Sequence, residues 1–254
     1  MRILLTNDDG IHAPGLKVLE AIARAISDDV WICAPAEEQS GAGHSLTLTR
    51  PIRLREHDAR RWSVTGTPTD AVTMALRKVM PAAPDLILSG VNRGANLGDD
   101  VTYSGTVAGA MEGALAGIPA IALSQVYARE GQGDAVPFDV AAHSGEKVLR
   151  PLLDAPFAPR SLININFPAI AADSVKGIRV VRQGFHDYKR GTVLESTDPR
   201  GYRYYWFGLH GIEHTPSHAT DLEAIQDGYI AVTPLQLDLT NEAALGMLAG
   251  RYSA

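Results

Sequence analysis

Short apolar runs alternate with amphipathic stretches of helical period through the first 170 residues, and that alternation leaves few folds open. Arg2–Thr6 is a compact apolar run without polar alternation, the pattern of a strand buried on both faces. Residues 14–26 follow, with Leu16, Leu19, Ile22, Ala23 and Ile26 at helical spacing behind a proline suited to a first turn. Further strand-like runs lie at 30–34, 85–89, 118–123 and 161–167, with helices predicted over 106–116 and 138–153. The 106–116 helix is rich in alanine and glycine, so its backbone is expected to pack close to the sheet. Strands and helices in this order build a parallel sheet with helices on both faces.

Two stretches break the pattern. Residues 45–65 read as a β excursion of short strands at 46–49, 52–54 and 62–64. Past about residue 175 the regularity fades. Residues 177–181, 202–207 and 229–233 look like strands, a long polar link joins the first two, and a short helix falls near 242–249. No repeat, low-complexity tract or interdomain linker divides the chain. It reads as one domain, 1–254, with a β-rich C-terminal arm over about 175–254.

A net charge of -6 across 254 residues argues against a nucleic-acid duplex as partner, because no basic surface supplies phosphate contacts. A small anionic substrate remains compatible, since a bound metal inverts the local field. The lone cysteine, Cys33, lies in an apolar run and reads as a small core residue, which points to a reducing compartment. Asn7-Asp8-Asp9 cuts the N-terminal apolar run short of a signal peptide, and no run approaches the ~18 apolar residues of a membrane span. No membrane partner is expected, and the cytoplasm is the expected address.

Ligands of open parallel sheets bind beyond the carboxyl ends of the strands, so the residues just past each run carry the chemistry. The first run ends in Asn7-Asp8-Asp9-Gly10, where adjacent carboxylates repel unless a cation or proton lies between them. Such hard oxygen ligands suit Mg²⁺, Mn²⁺ or Ca²⁺, although the same four residues are also ordinary turn chemistry. After the second run, the Gln39–Ser45 stretch with Ser40, Gly41 and Gly43 lets backbone N–H groups approach an anion; a surface loop is the plain alternative. After residue 89 comes a polar, glycine-rich loop with Asn92 and Asn96, whose amides can serve a metal or a phosphate. Tyr103-Ser104-Gly105-Thr106 then opens the Ala/Gly helix, where orphan N–H groups can bind phosphate or be capped by Ser104 or Thr106. Thr67-Pro68-Thr69-Asp70 reads as a structural helix start of the capping-box type. Together the strand ends carry the parts for holding one divalent ion and one phosphoryl group.

Several stretches in order make the sequence resemble the SurE family of 5′/3′-nucleotidases, the stationary-phase survival proteins. They are NDDGIHAPG (7–15), SGAGHSLT (40–47), GTPTD (66–70), PDLILSGVNRGANLGDDVTYSGT (84–106), ININFP (163–168) and GYIAVTPL (228–235). The resemblance implies an α/β, Rossmann-like three-layer sandwich and hydrolysis of nucleoside monophosphates. It implies one divalent metal ion per subunit at Asp8, Asp9, Ser40 and Asn92, and phosphate contacts from Gly41, Asn96, Ser104, Gly105 and Thr106. It further implies a homodimer or homotetramer built by exchange of the C-terminal arm. The likeness weakens across 126–136 and 184–219, and Ala71 stands where some relatives carry cysteine.

Asp8 and Asp9 are the expected catalytic residues. Direct attack by water on the phosphoryl group is preferred to a covalent aspartyl-phosphate, which usually shows Asp-x-Asp after its first strand. His12, His44, His214 and His218 are the candidates for a general acid. A metal-dependent deacetylase, with Asn7 as a preceding ligand, and a nucleotide-binding regulator without turnover are the rival readings. The aromatic run at 202–207 reads as an interface strand sooner than a base-stacking platform.

Overall fold

The computed structural model of the chain describes residues 1–126, 137–186, 192–208 and 219–252. The first half winds as β1 (Arg2–Thr6), α1 (Pro14–Arg24), β2 (Asp29–Pro35), β3 (Leu54–Asp58), β4 (Arg61–Val64), α2 (Pro68–Met74) and β5 (Leu86–Arg93). Then come α3 (Gly105–Leu115), β6 (Ala120–Gln125), α4 (Asp139–Leu153), β7 (Ser161–Phe167) and β8 (Ile178–Val180). β9 (Thr192–Thr197), β10 (Arg203–Gly208), α5 (Asp221–Gln226), β11 (Ile230–Gln236) and α6 (Glu242–Tyr252) complete the order. Nine strands form one mostly parallel sheet, ordered β3-β4-β2-β1-β5-β6-β7-β11-β8. β3 runs antiparallel to β4, and β11 antiparallel to β7. The chain steps from β1 to β2 on one side and later to β5 on the other, so the winding reverses at β1. Open α/β sheets bind ligands at such a switch point.

Side-chain alternation on the buried strands divides the core into two layers. Ile3 and Leu5 pack with Leu16, Leu19, Ile22, Val140 and Val148 beneath α1 and α4. Leu4 points the other way, against Cys33, Val64, Ala71, Val107 and Ala110 beneath α2 and α3. Cys33 is fully buried in β2, and that burial pushes its thiol up to about 12, as befits a packing residue. The small residues of α3 do bring it close: a Cβ on Gly109 would fall 2.8 Å from Ser89 Oγ, and one on Gly113 2.8 Å from the Ala120 Cβ.

Several expected elements differ in extent. β5 runs past Ser89 to Arg93 through a register shift against β6, which places Asn92 on a strand end and not in the loop beyond it. Residues 46–49 form no strand, because the Thr47 N–H and hydroxyl both donate to the Asp70 carboxylate at 3.0 and 2.6 Å, a side chain in place of a ladder partner. β3 begins where the second short strand was expected to end, at Leu54. The polar link after residue 181 contains β9, which pairs antiparallel with β10 in a separate two-stranded sheet. β8 and β11 join the central sheet, so it is the β9–β10 hairpin and α6 that stand apart from it. No helix among the described residues is long and apolar enough to cross a membrane.

Gly15, in the first turn of α1, lies against the bend of β5: a Cβ there would meet the Val91 carbonyl oxygen at 1.9 Å. Backbone cannot yield as a flexible side-chain tip would, so Gly15→Ala is expected to lower stability by roughly 1–3 kcal/mol. Urea unfolding followed by circular dichroism should show a lower midpoint at an unchanged slope; an unchanged midpoint would mean that α1 and β5 separate freely.

Candidate active site

The carboxyl ends of β1, β2 and β5 and the start of α3 converge on Asp8 and Asp9. Asn7 closes the turn after β1 by donating its Nδ2 to the Gly10 carbonyl at 2.9 Å, and its side chain is fully buried. It thus has a turn-forming place. Asp8 is 4% exposed, and its Oδ1 accepts a hydrogen bond from the Thr106 hydroxyl in the first turn of α3. Gly105 makes the approach possible, since a Cβ there would sit 2.7 Å from the Asp8 Cβ and 2.9 Å from its Oδ2. Asp9 Oδ2 accepts the backbone N–H of Arg93 at 3.0 Å, which ties the end of β5 to the same turn.

The Ser-Gly loop is laced to both sides of this centre. The Gln39 N–H donates to the Asp8 carbonyl at 2.8 Å, and the Gly43 N–H donates to the Tyr103 carbonyl at 3.2 Å. Ser40 donates its hydroxyl to Glu38 at 2.8 Å, and Gly41, at φ 77°, has open space where a Cβ would lie. Asn92 donates its Nδ2 to the Gly94 carbonyl at 3.0 Å, so its amide oxygen is the end free of that bond. Ser104 caps α3 by accepting the Val107 N–H at 3.0 Å. First-turn amides have no partner within the helix; with Val107 capped and the Thr106 N–H turned to the Asp8 carboxylate, that of Gly105 is the further donor beside Asp8. Asn96 is held from behind: its Nδ2 donates to Ser124 Oγ at 2.8 Å, and its carbonyl accepts the amides of Asn164 and Asn166 at 2.8 and 3.0 Å.

Electrostatics sharpen the picture. Burial pushes the Asp8 carboxyl up to about 6; the Thr106 hydrogen bond draws it back and the neighbouring Asp9 charge pushes it further up. Asp9 is raised as well, chiefly by burial, against the pull of the Arg93 N–H and charge. Arg93 in turn pairs with Glu38 at 3.3 Å. Two neighbouring, partly desolvated carboxylates whose hydrogen-bond partners are a neutral hydroxyl and backbone amides fit a hard divalent cation. Among the described residues no three His, Cys, Asp or Glu side chains converge, so the remaining donors would be neutral oxygens such as those of Asn92 and Ser40.

Of the four histidines considered, His44 Nε2 lies 2.7 Å from Glu112 Oε1 and the His12 ring packs edge-on against His57. His214 and His218 lie outside the described residues. Asp70 has the expected capping-box role, with Thr67 as its partner. Sequence reasoning passed over Glu38, Ser124, Asn164 and Asn166. The two asparagines carried a readable signal: fully buried polar residues at period two inside an otherwise apolar strand need hydrogen-bond partners on one face. Glu38 carried none, since adjacent glutamates usually mark a solvated loop.

The raised Asp8 carboxyl links to stability with a definite sign. Its folded value lies above the ordinary 3.8, so its contribution is intact below about pH 4 and is lost as pH rises through about 6. Above that, the buried charge costs roughly 3 kcal/mol in the absence of a cation. In EDTA, Asp8→Asn is therefore expected to be more stable than wild type by roughly 2–3 kcal/mol at pH 8 and about equal at pH 4. Urea titrations at the two pH values check this, and a wild type that is the more stable at pH 8 would refute it.

Comparison with known proteins gives a consistent answer. The family described as "Survival protein SurE" matches residues 3–190. Two curated proteins named 5′-nucleotidase SurE, from Erythrobacter litoralis and Rhizorhabdus wittichii, are each 66% identical over 253 residues, covering 99% of this chain and 100% of their own. A third of that name, from Methylobacterium sp. (strain 4-46), is 51% identical over 250 residues, 98% of each chain. The crystal structure of the SurE protein from Aquifex aeolicus superposes with a TM-score of 0.84 at 38% identity, over 99% of both chains. Sequence likeness over the whole length and the same arrangement of the sheet lead to one assignment: the chain belongs to the SurE family.

Proposed function

We propose that the chain hydrolyses nucleoside 5′- and 3′-monophosphates to nucleoside and inorganic phosphate. One observation carries the reading: a buried, charge-frustrated Asp8 beside Asp9 is set against the N-terminus of α3, a cation place next to an anion place. The name 5′-nucleotidase borne by relatives 66% identical over their full length supports it.

One divalent ion per subunit, Mg²⁺ or Mn²⁺ with Ca²⁺ also suited, would be held by Asp8, Asp9, Asn92 and Ser40. Bound there, it would supply Lewis-acid polarisation of a phosphoryl oxygen and acidify water. The chain's own residues do the rest. Gly105 and Thr106 offer backbone N–H groups, and Gly41 a further one, to the equatorial oxygens where charge develops. Thr106 holds the Asp8 carboxylate in orientation through its hydroxyl, while Ser104 keeps the helix start capped. Asn96 sets the course of the loop between β5 and α3, with its amide beside the phosphate place. Asp8 and Asp9 hold a water in line for direct attack. The lone buried Cys33 is in keeping with a reducing, cytoplasmic address.

Self-association accompanies the reading. β10 exposes Tyr205, Trp206 and Phe207, β9 exposes Val193 and Leu194, and no residue of α6 is buried. Exposed aromatic and aliphatic side chains of this kind are an interface composition. The β9–β10 hairpin and α6 form the part of the arm exchanged between subunits in a dimer or tetramer.

Phosphate release from 5′- and 3′-nucleoside monophosphates should require Mg²⁺ or Mn²⁺, vanish in EDTA, and fall by about 10³-fold or more in Asp8→Asn, the scale of removing a preorganised charge partner. Calorimetric nucleotide binding without release in any metal would support the non-catalytic regulator, and release of acetate from N-acetylated sugars the deacetylase. Trp206→Ala should reduce the oligomer's sedimentation coefficient and leave KM for the nucleotide nearly unchanged; a raised KM at constant size would assign the strand to base stacking.

A further inference from the structure

Asp221 is fully buried, lies far along the chain from the strand ends of the site, and is not used by the chemistry above. Capping of its own helix falls mainly to others: Thr220 and Glu223 form a capping box on α5, with the Thr220 N–H donating to Glu223 Oε2 at 3.0 Å, and Asp221 takes there only the Leu222 N–H. Instead its carboxylate gathers backbone amides. Oδ2 accepts the Gly98 N–H at 2.9 Å, and Oδ1 accepts those of Gly184 at 2.8 Å and Leu222 at 2.9 Å. The Asp221 N–H donates to the Arg182 carbonyl at 3.0 Å, which closes the knot on the chain's own side.

Around Gly98 the knot is tightened from two further directions. Gln183 Nε2 donates to the Gly98 carbonyl at 3.0 Å. The His186 N–H donates to Asp99 Oδ2 at 2.9 Å, and the His186 ring stands 3.0 Å from where a Cβ on Gly98 would be. Gly98 has φ 52°, so the turn and the close approach both ask for glycine. Residues 96–104 are thus anchored from outside along their length: Ser124, Asn164 and Asn166 hold Asn96, Asp221 with Gln183 holds Gly98, the His186 N–H holds Asp99, and the Gly43 N–H holds the Tyr103 carbonyl. The middle anchors come from residues 182–186 and 220–222 and fix the loop that delivers Asn96 and the α3 amides to the site.

We infer that Asp221 is a positioning residue for phosphate binding, acting through Gly98 on the loop that runs from Asn96 to the start of α3. The inference rests on the reading of that loop and helix start as the phosphate place. A charged acceptor serving three buried amides is hard to replace, because its loss leaves N–H groups unsatisfied. The metal place depends on it less: Asp9 is held by the Arg93 amide at the end of β5, and Asp8 shares only its Thr106 contact with the far end of the loop. Asp221 should therefore separate phosphate affinity from metal affinity, which a merely structural residue would not do.

The test uses the full chain with Mn²⁺ and inorganic phosphate, followed by calorimetry, with kcat and KM for a nucleoside 5′-monophosphate measured in parallel. Asp221→Asn retains size and one acceptor, and Gln183→Ala removes only the bond to the Gly98 carbonyl, so the second serves if the first unfolds. Displacement of the loop by about 1 Å can cost up to about 10²-fold, so Asp221→Asn is expected to weaken phosphate binding and kcat/KM about ten- to hundredfold while Mn²⁺ affinity changes less than about twofold. Gln183→Ala should move the same way by about threefold, in keeping with a single neutral hydrogen bond. Folded variants with wild-type phosphate affinity would overturn the inference, as would equal losses of phosphate and Mn²⁺ affinity. A wild type that itself neither binds phosphate nor releases it would overturn the functional reading first and this inference with it.

Discussion

Everything at the candidate site depends on the burial of one carboxylate. Asp8 lies just past the end of β1 with 4% of its surface exposed, and its side-chain oxygen meets the hydroxyl of Thr106, 98 residues later in the chain. A buried carboxylate with a neutral partner favours its protonated form, and a second carboxylate next to it adds to that preference. The site is thus held in an unfavourable charge state that a cation would relieve. The same frustration that destabilises the metal-free fold near neutral pH is what would make metal binding favourable. Stability and function pull in opposite directions at this residue.

That arrangement requires α3 to lie very close to the sheet. Gly109 and Gly113 remove the methyl groups that would hold the helix away from Ser89, Thr6 and Ala120, and Gly105 removes the one that would strike Asp8. With the helix so near, its first-turn amides and the carboxylate share one small volume. A cation place and an anion place then adjoin without any residue having to reach far. The switch of winding at β1 keeps this corner open, because neighbouring connections leave in opposite directions.

Long-range contacts supply the rest of the rigidity. The loop between β5 and α3, rich in glycine and asparagine, holds only a short 3-10 turn at Gly98–Thr102 and borrows further order from Asn164 and Asn166 on β7 and from Asp221 beyond β10. Residues late in the chain therefore shape a site whose ligands come early. The exposed aromatic surface of the β9–β10 hairpin belongs to the same late part of the chain.

Much of this was legible in the residues themselves. Apolar runs without alternation marked β1, β2 and β6, because only a strand covered on both faces has that pattern. Asn7-Asp8-Asp9-Gly10 and the alanine- and glycine-rich helix announced a polar turn and a close-packed helix, both local properties of side-chain chemistry. What stayed hidden depended on partners distant in sequence. Residues 46–49 looked like a strand, yet Thr47 spends its donors on Asp70; Asn92 looked like loop, yet the β5–β6 register carries it onto a strand. β9 sat unseen in a polar link because its run, Thr192–Thr197, holds only two apolar side chains, Val193 and Leu194, side by side and without alternation. Burial of Asp8, its raised carboxyl and the amide knot at Asp221 are properties of a folded environment. Composition and spacing decided which groups the chain brings to its strand ends; only the tertiary structure decided which of them are stripped of water and set against each other, because desolvation exists only once distant segments have closed over them.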